Sequence, residues 1–517
     1  MTEIKFGTDG WRAVIADEFT FARVKTVVRA IAEFLKERKK EKDGVVIGFD
    51  NRFLSEEFAA SAAAVFLGEN IKVYLCSCPA PTPAVAFAVK HCQSAGAIMF
   101  TASHNPARYH GIKFIPHYAG PALPPETDRI GELVHSFLQE NQKKGNQGKS
   151  ISKKDTEIDK YHFVLQKLME EEKNAKKIGG FRSPKTAFHY PKDADTGEKL
   201  LQVICPKEPY LEHLKRIIDV KAIADAGPAV VVDSMHGSGG GYLEDFLLPL
   251  GCRVETVRGC RDPLFGGGLP DPAPRNLKEL RSQVLELQAE AGLALDGDGD
   301  RLGIIDPEGE YISANDLFLL LLEYLVQNRG RRGIVVRTVA TTHNLDRLAR
   351  HYGLRLIETP VGFKYIGQVI REQNALLGGE ESGGISMRGH IPEKDGILAA
   401  LLFMEMLALS RSEPAALFQK IAAKINVMDF KRWDIHTSPA QKKEILNKLE
   451  IWQPQEIAGL KVEAINRTDG VKVLFEKEKW CLIRSSGTED LFRLYAEAPN
   501  ETMLEELRNG IRWELGL

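Results

Sequence analysis

Short apolar runs alternate with helical stretches along most of this chain, and the alternation restarts three times. The first round has strand-like runs at 45–49, 71–75, 95–100 and 111–115, with helical runs at 55–67 and 83–90. The same order returns over 229–295 and again over 334–377. Alternating strands and helices predict α/β domains built on mostly parallel sheets. Residue identity between the three rounds is low, so we interpret them as a repeat of topology.

Each round has a polar segment directly after a strand, at 101–106, 296–301 and 378–384, and the second and third of these segments are glycine-rich. Ligands of α/β sheets bind beyond the carboxyl ends of the strands. The three segments are therefore candidates to converge on one cleft.

The remaining sequence divides into a charged excursion and a different C-terminal part. Strands at 471–476, 480–484 and 491–497, followed by a helix at 501–515, predict a small α+β domain. Residues 140–206 are rich in Lys, Glu, Asn and Gly and are interpreted as an insertion with a helix around 159–177. The predicted segments are 1–140 (domain I), 141–206 (excursion), 207–307 (domain II), 308–425 (domain III) and 426–517 (domain IV).

Charge and cysteine content exclude several classes of partner and compartment. The formal net charge of -2, from 69 basic and 71 acidic residues, gives no reason to expect nucleic acid. The N-terminus lacks a secretory signal, and the longest apolar run, around 317–326, is too short for a bilayer and contains Glu323. Seven scattered cysteines without a C-x-x-C pair favour reduced thiols. We expect a cytoplasmic protein without a membrane partner; an oligomeric state is not readable.

The segment 296–301 predicts a metal site. Asp296, Asp298 and Asp300 alternate with glycines, and three carboxylates so close repel one another unless a cation binds. Oxygen ligands suit Mg²⁺ or Mn²⁺. A calcium-binding EF-hand is excluded because Arg301 and Pro307 stand where that loop needs Gly and Glu. Arg301 would neutralise a phosphate, and a solvated acidic turn is the alternative.

The segment 101–106 carries a candidate nucleophile, Ser103, at the end of a predicted strand. His104 is placed to orient it or to exchange protons. Arg12, after the glycine turn of 6–12, is a candidate to reach it. No G-x-S-x-G pattern is present, which disfavours an α/β-hydrolase. An ordinary strand-to-loop turn remains the alternative.

Two further loops have the composition of sugar and phosphate sites. Residues 378–384 place two glutamates and a serine between glycines, and carboxylates accept hydrogen bonds from vicinal hydroxyls. Residues 484–488 combine an arginine, three hydroxyls and a turn, which suits a phosphate dianion, and Arg493 follows on the next strand. Each loop taken singly is also compatible with a plain connection.

A third glycine-rich segment, 236–241, follows a strand and opens a helix, as a dinucleotide-binding fingerprint would. The acidic residue that such a fingerprint needs at the end of a second strand is not convincing. We therefore interpret this segment as a tight strand-to-helix turn.

Four motifs in this order, at 101–106, 296–301, 379–384 and 484–488, make the chain resemble the α-D-phosphohexomutase family, the phosphoglucomutases and phosphomannomutases. The resemblance covers nearly the whole chain except about 140–206. It implies an α/β fold in which three similar α/β domains and a C-terminal α+β domain surround a central cleft, each domain supplying one loop.

The resemblance assigns roles to individual residues by matching position. The catalytic group would be Ser103, the phosphorylated residue, with His104, Lys113 and Arg12. One Mg²⁺ per chain would be held by Ser103, Asp296, Asp298 and Asp300. Substrate would be bound by Arg301, Thr359, Gly362, Lys364, Glu380, Ser382, His390 and Lys394. The non-reacting phosphate would be bound by Arg484, Ser485, Ser486, Gly487, Thr488 and Arg493.

The implied reaction is an isomerisation of sugar phosphates. Phosphoserine donates its phosphoryl group to a sugar monophosphate, and the resulting hexose 1,6-bisphosphate, which is also an activator, reorients and returns its other phosphoryl group. Either His104 or Lys113 would accept the hydroxyl proton. A metal-dependent phosphatase and a non-catalytic sugar-phosphate sensor are distant alternatives, because they do not need all four motifs.

Sugar specificity depends on the loop 380–384. Its Glu-Glu-Ser-Gly-Gly form resembles phosphoglucomutases more than the Glu-Met-Ser-Gly-His form of dual phosphomannomutases or the Glu-Gln-Ser-Gly-His form of phosphoglucosamine mutases. We therefore expect interconversion of glucose 1-phosphate and glucose 6-phosphate, with a phosphomannomutase or dual enzyme as the alternative. Asp490 stands where the family usually has proline, and an acidic residue beside a phosphate loop is unfavourable unless it points away.

Overall fold

The computed structural model describes residues 4–7, 10–145, 158–159, 161–162, 165, 199–486 and 490–517. These residues form two compact units, one of Met1–Ser313 with Gly384–Arg411 and one of Ala314–Gly383 with Ser412–Leu517. Most of the helix predicted around 159–177 lies outside the described residues.

The first unit begins with a mixed sheet. Its elements are β1 (Trp11–Val14), α1 (Phe21–Glu37), β2 (Val45–Phe49), α2 (Ser55–Gly68), β3 (Val73–Cys76), α3 (Thr82–His91), β4 (Gly96–Phe100), β5 (Tyr109–Pro116), α4 (Pro124–Gly145) and β6 (Leu201–Ile204). The strand order is β1-β5-β4-β2-β3-β6. Strands β2, β3, β4 and β6 run parallel, whereas β5 is antiparallel to both β4 and β1. The turn from β4 into β5 contains the segment 101–106.

A second sheet follows in the same unit. Its elements are α5 (Lys207–Lys215), α6 (Val220–Ala226), β7 (Ala229–Asp233), α7 (Tyr242–Leu247), β8 (Arg253–Val257), α8 (Lys278–Leu287), β9 (Ala291–Leu295), β10 (Leu302–Ile305) and β11 (Tyr311–Ile312). The strand order is β11-β10-β9-β7-β8, and β9 and β10 form an antiparallel hairpin. The tip of that hairpin is the segment 296–301.

The second unit contains α9 (Ala314–Gln327), β12 (Val335–Thr338), α10 (Asn344–His351), β13 (Leu356–Thr359), α11 (Phe363–Gln373) and β14 (Leu377–Gly379). Strand β12 pairs in parallel with both β13 and β14. The next elements, β15 (Ile385–Met387) and α12 (Gly396–Ser410), belong to the first unit.

The C-terminal part of the second unit is an antiparallel sheet with helices. Its elements are α13 (Pro414–Ala422), β16 (Asp429–His436), α14 (Pro439–Ile451), β17 (Glu456–Ile457), β18 (Leu460–Asn466), β19 (Val471–Phe475), β20 (Trp480–Ser485), β21 (Leu491–Ala498) and α15 (Glu501–Leu515). The strand order is β16-β21-β20-β19-β18-β17. Arg484 and Ser485 are the last two residues of β20, and residues 467–470 form the turn between β18 and β19.

The apolar helices belong to the protein core. The run around 317–326 is buried in α9, as its sequence predicts, and the apolar residues of α12 are buried to Leu407. No helix among the described residues is both long and apolar enough to cross a membrane.

Strand β2 shows how tightly this core is packed. All five of its residues are buried, and both α2 and α3 pack against it. A continuous apolar run of this kind is typical of a strand covered on both faces. Gly48 is the narrow point, because a Cβ atom there would lie 2.3 Å from Cγ2 and 2.8 Å from Cγ1 of Val85 in α3.

We predict that Gly48→Ala lowers the free energy of unfolding by about 1–3 kcal/mol, because the added methyl group overpacks the contact with Val85. The measurement is the thermal unfolding midpoint. Adding Val85→Ala should recover part of the loss. Gly131→Ala is the matched control, since nothing lies within 4 Å of a Cβ at that position of α4. Equal midpoints for Gly48→Ala and the wild type would contradict the prediction.

Candidate active site

Ser103 lies buried, 1 % exposed, in the turn that follows β4. Its φ of 50° is in the left-handed region, which is uncommon for a residue with a side chain and costs on the order of 1–3 kcal/mol. Its amide donates to Oγ1 of Thr101 at 2.8 Å. The turn therefore holds the serine in a strained conformation that the surroundings must enforce.

Arg52 helps to hold the turn in this conformation. Its guanidinium is fully buried and donates to the carbonyl oxygens of Ser103, Asn105, Pro106 and Tyr109, at 2.6, 2.7, 2.9 and 3.0 Å. Nε lies 3.2 Å from Oδ2 of Asp50. Burial raises the pKa of Asp50, and the Arg52 charge opposes that rise. One planar cation thus fixes the whole turn, a role that sequence reasoning missed.

The three aspartates predicted to bind metal are fully buried, and one oxygen from each lies within 4.8 Å of the others. Oδ2 of Asp296 accepts a hydrogen bond from Oγ of Ser103 at 2.8 Å. Oδ1 of Asp296 accepts from the amides of Asp300 and Arg301 at 2.9 and 3.1 Å. The structure therefore brings the candidate nucleophile into direct contact with the candidate metal site.

Two lysines and a threonine stabilise the other carboxylates. Oδ2 of Asp298 accepts from Nζ of Lys113 and from Oγ1 of Thr82, both at 2.6 Å. Oδ2 of Asp300 lies 3.1 Å from Nζ of Lys113 and 3.2 Å from Nζ of Lys394. Lys113, which the resemblance places near the serine, and Lys394, which it assigns to substrate, thus both contact the aspartates, and Thr82 was not predicted.

These contacts shift the pKa values of the three aspartates in different directions. Burial alone would raise the pKa of both Asp298 and Asp300, but Lys113 and Lys394 lower the pKa of each below its usual value. Burial, followed by the charges of Asp300 and Asp298, raises the pKa of Asp296 well above its usual value. The protein's own cations therefore compensate the cluster incompletely.

The oxygens that remain fit a divalent cation. Oδ1 of Asp298 and Oδ1 of Asp300 are buried and accept no hydrogen bond from any described residue. A buried acceptor without a partner is costly, and carboxylate oxygens are the ligands that Mg²⁺ prefers. The donor set of Asp296, Asp298 and Asp300 therefore suits a hard cation.

His104 is a candidate base beside Ser103. Its Nδ1 lies 3.3 Å from Oγ of Ser103. The Arg301 charge, burial and then the Arg12 charge lower the pKa of His104 well below its usual value. The imidazole is therefore neutral near pH 7. Arg12 itself donates from Nη1 to Oδ1 of Asn105 at 2.8 Å, which ties β1 to the serine turn.

The glycine-rich segment 236–241 packs against the metal loop, the segment 296–301 that carries the three aspartates. It joins β7 to α7, so the predicted strand-to-helix turn is confirmed. A Cβ on Gly237 would lie 2.9 Å from the Asp296 carbonyl oxygen, which leaves room only for glycine. Nδ2 of Asn51 donates to the carbonyl oxygens of His236 and Gly237 at 2.8 Å.

In the second unit, Arg484 and Arg493 stand directly opposite each other on β20 and β21. Like charges in that relation repel; Asp469, 2.7 Å from Nε of Arg484, offsets part of the positive charge, and a bound anion would offset the rest. Ser485 ends β20, and Ser486 is the next described residue, whereas Gly487 and Thr488 lie outside the described part of the chain.

Asp490, the residue before β21, lies beside a lysine. Its carboxylate is 57 % exposed and lies 3.8 Å from Nζ of Lys442 on α14. Lys442 also donates to the Ser486 carbonyl oxygen at 2.9 Å. The departure from proline is thus accommodated by a cation that the sequence alone did not reveal.

The predicted sugar-binding residues lie at the ends of β13 and β14. Glu380 directly follows β14, and its Oε1 accepts from the amide of Gly362 at 3.0 Å. Thr359 is the last residue of β13. Lys364, in the first turn of α11, lies with its ammonium 4.9 Å from the Tyr365 ring centroid, and Ser382 is half-buried. The structure therefore brings Gly362 and Glu380 into contact.

His390 occupies a different environment from the one its assignment to substrate implies. Its side chain is fully buried, with Nε2 2.8 Å from Oδ2 of Asp395 and Nδ1 3.0 Å from Nε2 of His213. Asp395 also accepts from the Tyr210 hydroxyl at 2.7 Å and caps α12. Both ring nitrogens are used inside the protein, which argues against substrate contact and favours a role in holding Asp395 beside Lys394.

The fold and this site together define an α/β enzyme in which a buried serine adjoins a carboxylate triad suited to metal-assisted phosphoryl transfer. Family models of the same name match four successive parts of the chain. Phosphoglucomutase/phosphomannomutase alpha/beta/alpha domains I, II and III match residues 3–140, 208–309 and 313–425, and the C-terminal domain of that family matches 440–512.

Individual relatives agree with the models. A phosphoglucomutase/phosphomannomutase of Thermococcus kodakarensis is 30 % identical over 98 % of this chain and 97 % of its own length. A phosphoglucosamine/phosphogalactosamine mutase of Sulfurisphaera tokodaii is 26 % identical over 98 % of each. A crystal structure from Thermus thermophilus, described as a candidate phosphomannomutase, is 31 % identical, with a TM-score of 0.77 over 100 % of both chains. The chain belongs to the phosphoglucomutase/phosphomannomutase family and is accordingly a phosphohexomutase, an isomerase that transfers a phosphoryl group.

We predict that Arg52→Lys lowers the rate of isomerisation by about 100-fold, because a small displacement of reacting groups costs that much. Lysine keeps the charge but cannot reproduce the fixed fork that donates to four carbonyl oxygens. The measurement is kcat, with circular dichroism to confirm folding. Arg253→Lys on β8, where the arginine is exposed, is the matched control. A normal rate in folded Arg52→Lys would refute the role.

Proposed function

We propose that this phosphohexomutase interconverts glucose 1-phosphate and glucose 6-phosphate through a phosphoserine at position 103 and a hexose 1,6-bisphosphate intermediate. The observation that carries the proposal is the 2.8 Å hydrogen bond from Oγ of Ser103 to Oδ2 of Asp296 inside the buried triad. A serine hydroxyl at this position can accept a phosphoryl group from a sugar phosphate and return it, because the negative charge of that group would be compensated there.

Asp296, Asp298 and Asp300 would hold one Mg²⁺, with Ser103 as a further ligand. When bound, this cation neutralises negative charge on the transferring phosphoryl group. Lys113 bridges two of the aspartates at 2.6 and 3.1 Å, so its role is to keep their oxygens oriented and to add positive charge.

The chain's own proton acceptor would be His104. In the forward step the sugar hydroxyl forms a bond to phosphorus, the bond from phosphorus to Oγ of Ser103 breaks, and the hydroxyl proton passes to the imidazole. The neutral state of His104 and its 3.3 Å distance from Oγ support this choice. Lys113 is less suited, because it already donates to two carboxylates.

Recognition of the sugar would fall to groups of the second unit. Glu380 and Ser382 are proposed to bind hydroxyls, and Arg484, Ser486 and Arg493 the phosphate that does not react. The opposed arginines support an anion site there. Loop 380–384 favours glucose, whereas the names of the Thermococcus and Thermus relatives make mannose 1-phosphate the second candidate substrate.

A coupled assay with glucose 1-phosphate, mannose 1-phosphate and glucosamine 1-phosphate tests the proposal. We expect the highest kcat/KM for glucose 1-phosphate and a faster initial rate when glucose 1,6-bisphosphate is added, because the bisphosphate phosphorylates the serine. A higher value for mannose 1-phosphate would favour a phosphomannomutase. Release of free phosphate without isomerisation would favour a phosphatase.

We expect Ser103→Ala to lower turnover by about 10⁴-fold or more, because covalent catalysis is lost. Intact-mass analysis after incubation with glucose 1,6-bisphosphate should show one phosphate adduct on the wild type and none on the variant. Ser94→Ala is the matched control: within the described part of the chain this buried serine donates only to the Gly96 carbonyl oxygen, and the variant should keep both adduct and activity. An adduct on Ser103→Ala would move the phosphorylation site elsewhere.

A further inference from the structure

The turn between β18 and β19 places one carboxylate against two loops of proposed function. Oδ1 of Asp469 accepts from Nε of Arg484 at 2.7 Å, and Oδ2 accepts from the amide of Val361 at 3.0 Å. Arg484 belongs to the phosphate-binding group, whereas Val361 lies between Thr359 and Gly362 of the sugar-binding group. Asp469 is therefore a bridge between the two.

Two hydrogen bonds to Glu358 hold the turn that carries Asp469 in place. Nδ2 of Asn466, at the end of β18, donates to Oε1 of Glu358 in β13 at 2.9 Å. Nζ of Lys472 in β19 donates to Oε2 of the same glutamate at 2.7 Å. Residues on both sides of the turn thus hold it against β13, the strand that leads into Val361.

Gly470 brings the turn close enough to Arg484 for this contact. Its φ is 86°, and a Cβ there would lie 2.4 Å from the Ile483 carbonyl oxygen and 3.2 Å from Cα of Arg484. Only glycine meets both conditions. The preceding carboxylate consequently reaches Nε, an atom near the base of the guanidinium.

The hydrogen bond from Nε of Arg484 to Asp469 fixes the plane of the Arg484 guanidinium. The two terminal nitrogens form the fork that grips an oxyanion, and Asp469 accepts from neither of them. On the opposite side, Gly362, next to Val361, donates to Oε1 of Glu380 at 3.0 Å. A continuous path of hydrogen bonds and backbone therefore runs from the phosphate-binding arginine to the glutamate proposed to bind hydroxyls.

We propose that Asp469 is a positioning residue that sets the spacing between Arg484 and the sugar-binding loop of Val361, Gly362 and Glu380. The inference rests on the proposed function, in which two monophosphates of one sugar must present a phosphate and hydroxyls to the same groups. A fixed spacing lets one pair of loops serve both monophosphates.

A positioning role and a purely electrostatic role of Asp469 predict opposite effects of Asp469→Asn on the strength of phosphate binding. Removing an anion 2.7 Å from Arg484 makes the site more positive, which by charge alone would tighten phosphate binding. Asparagine, however, retains only one acceptor oxygen for the two donors that Asp469 serves. Loss of positioning therefore weakens binding despite the gain in positive charge.

The experiment measures KM for glucose 1-phosphate and for glucose 6-phosphate, and the inhibition constant of inorganic phosphate, in Asp469→Asn. We expect all three to rise by about tenfold, as misplacement of a binding group does, with a smaller change in kcat. Asp469→Glu, which keeps both acceptor oxygens, should recover part of the loss. Unchanged or lower constants in Asp469→Asn would overturn the inference.

Thr468→Val is the matched control, because among the described residues this neighbouring side chain donates only to Oδ1 of Asn466 within the same turn. It should leave all three constants unchanged; a rise equal to that of Asp469→Asn would assign the effect to the turn as a whole and overturn the specific role. A wild type without isomerase activity on any hexose phosphate would instead reject the proposed function. The two failures are therefore distinguishable.

Discussion

Three carboxylates without exposure to solvent are the constraint on which the first unit depends. Buried negative charge of this density is tolerated only where donors and cations surround it. The chain meets the requirement from distant segments: Thr82 begins α3, Lys113 lies on β5, and Lys394 precedes α12. The serine turn, the metal loop and the loop before α12 are therefore held together by the need to compensate one charge cluster.

Apolar pattern explains which elements could be predicted from the sequence. Strand β2 and helix α15 have the predicted bounds, and most other predicted elements differ by one or two residues at an end. Strand β16 was not predicted, because its residues alternate between exposed and half-buried. Such a strand is specified by its partner β21 rather than by its own composition. The bounds of the five predicted segments remain predictions.

For the site, residue chemistry indicated the reactive groups but not their supports. Polar segments at strand ends pointed to Ser103 and the aspartates, because the chemistry proposed for these residues belongs to their own side chains. Arg52 and Asp469 act through other residues, and their partners lie 51 and 15 positions away in the sequence. The assignment of His390 to substrate stays a prediction that its two buried partners argue against, because a histidine near a functional loop has the same sequence signature whether it contacts substrate or another side chain.

The first residue of α3 links the metal site to the hydrophobic core. Thr82 donates to Asp298 twice, from its hydroxyl at 2.6 Å and from its amide to the carbonyl oxygen at 2.8 Å. One turn later the same helix packs Val85 on Gly48 of β2. Close-packed interiors transmit small displacements. In the proposed function, where Asp298 holds the cation, a change at the contact between Val85 and Gly48 would therefore alter cation affinity and be felt as a change in metal dependence.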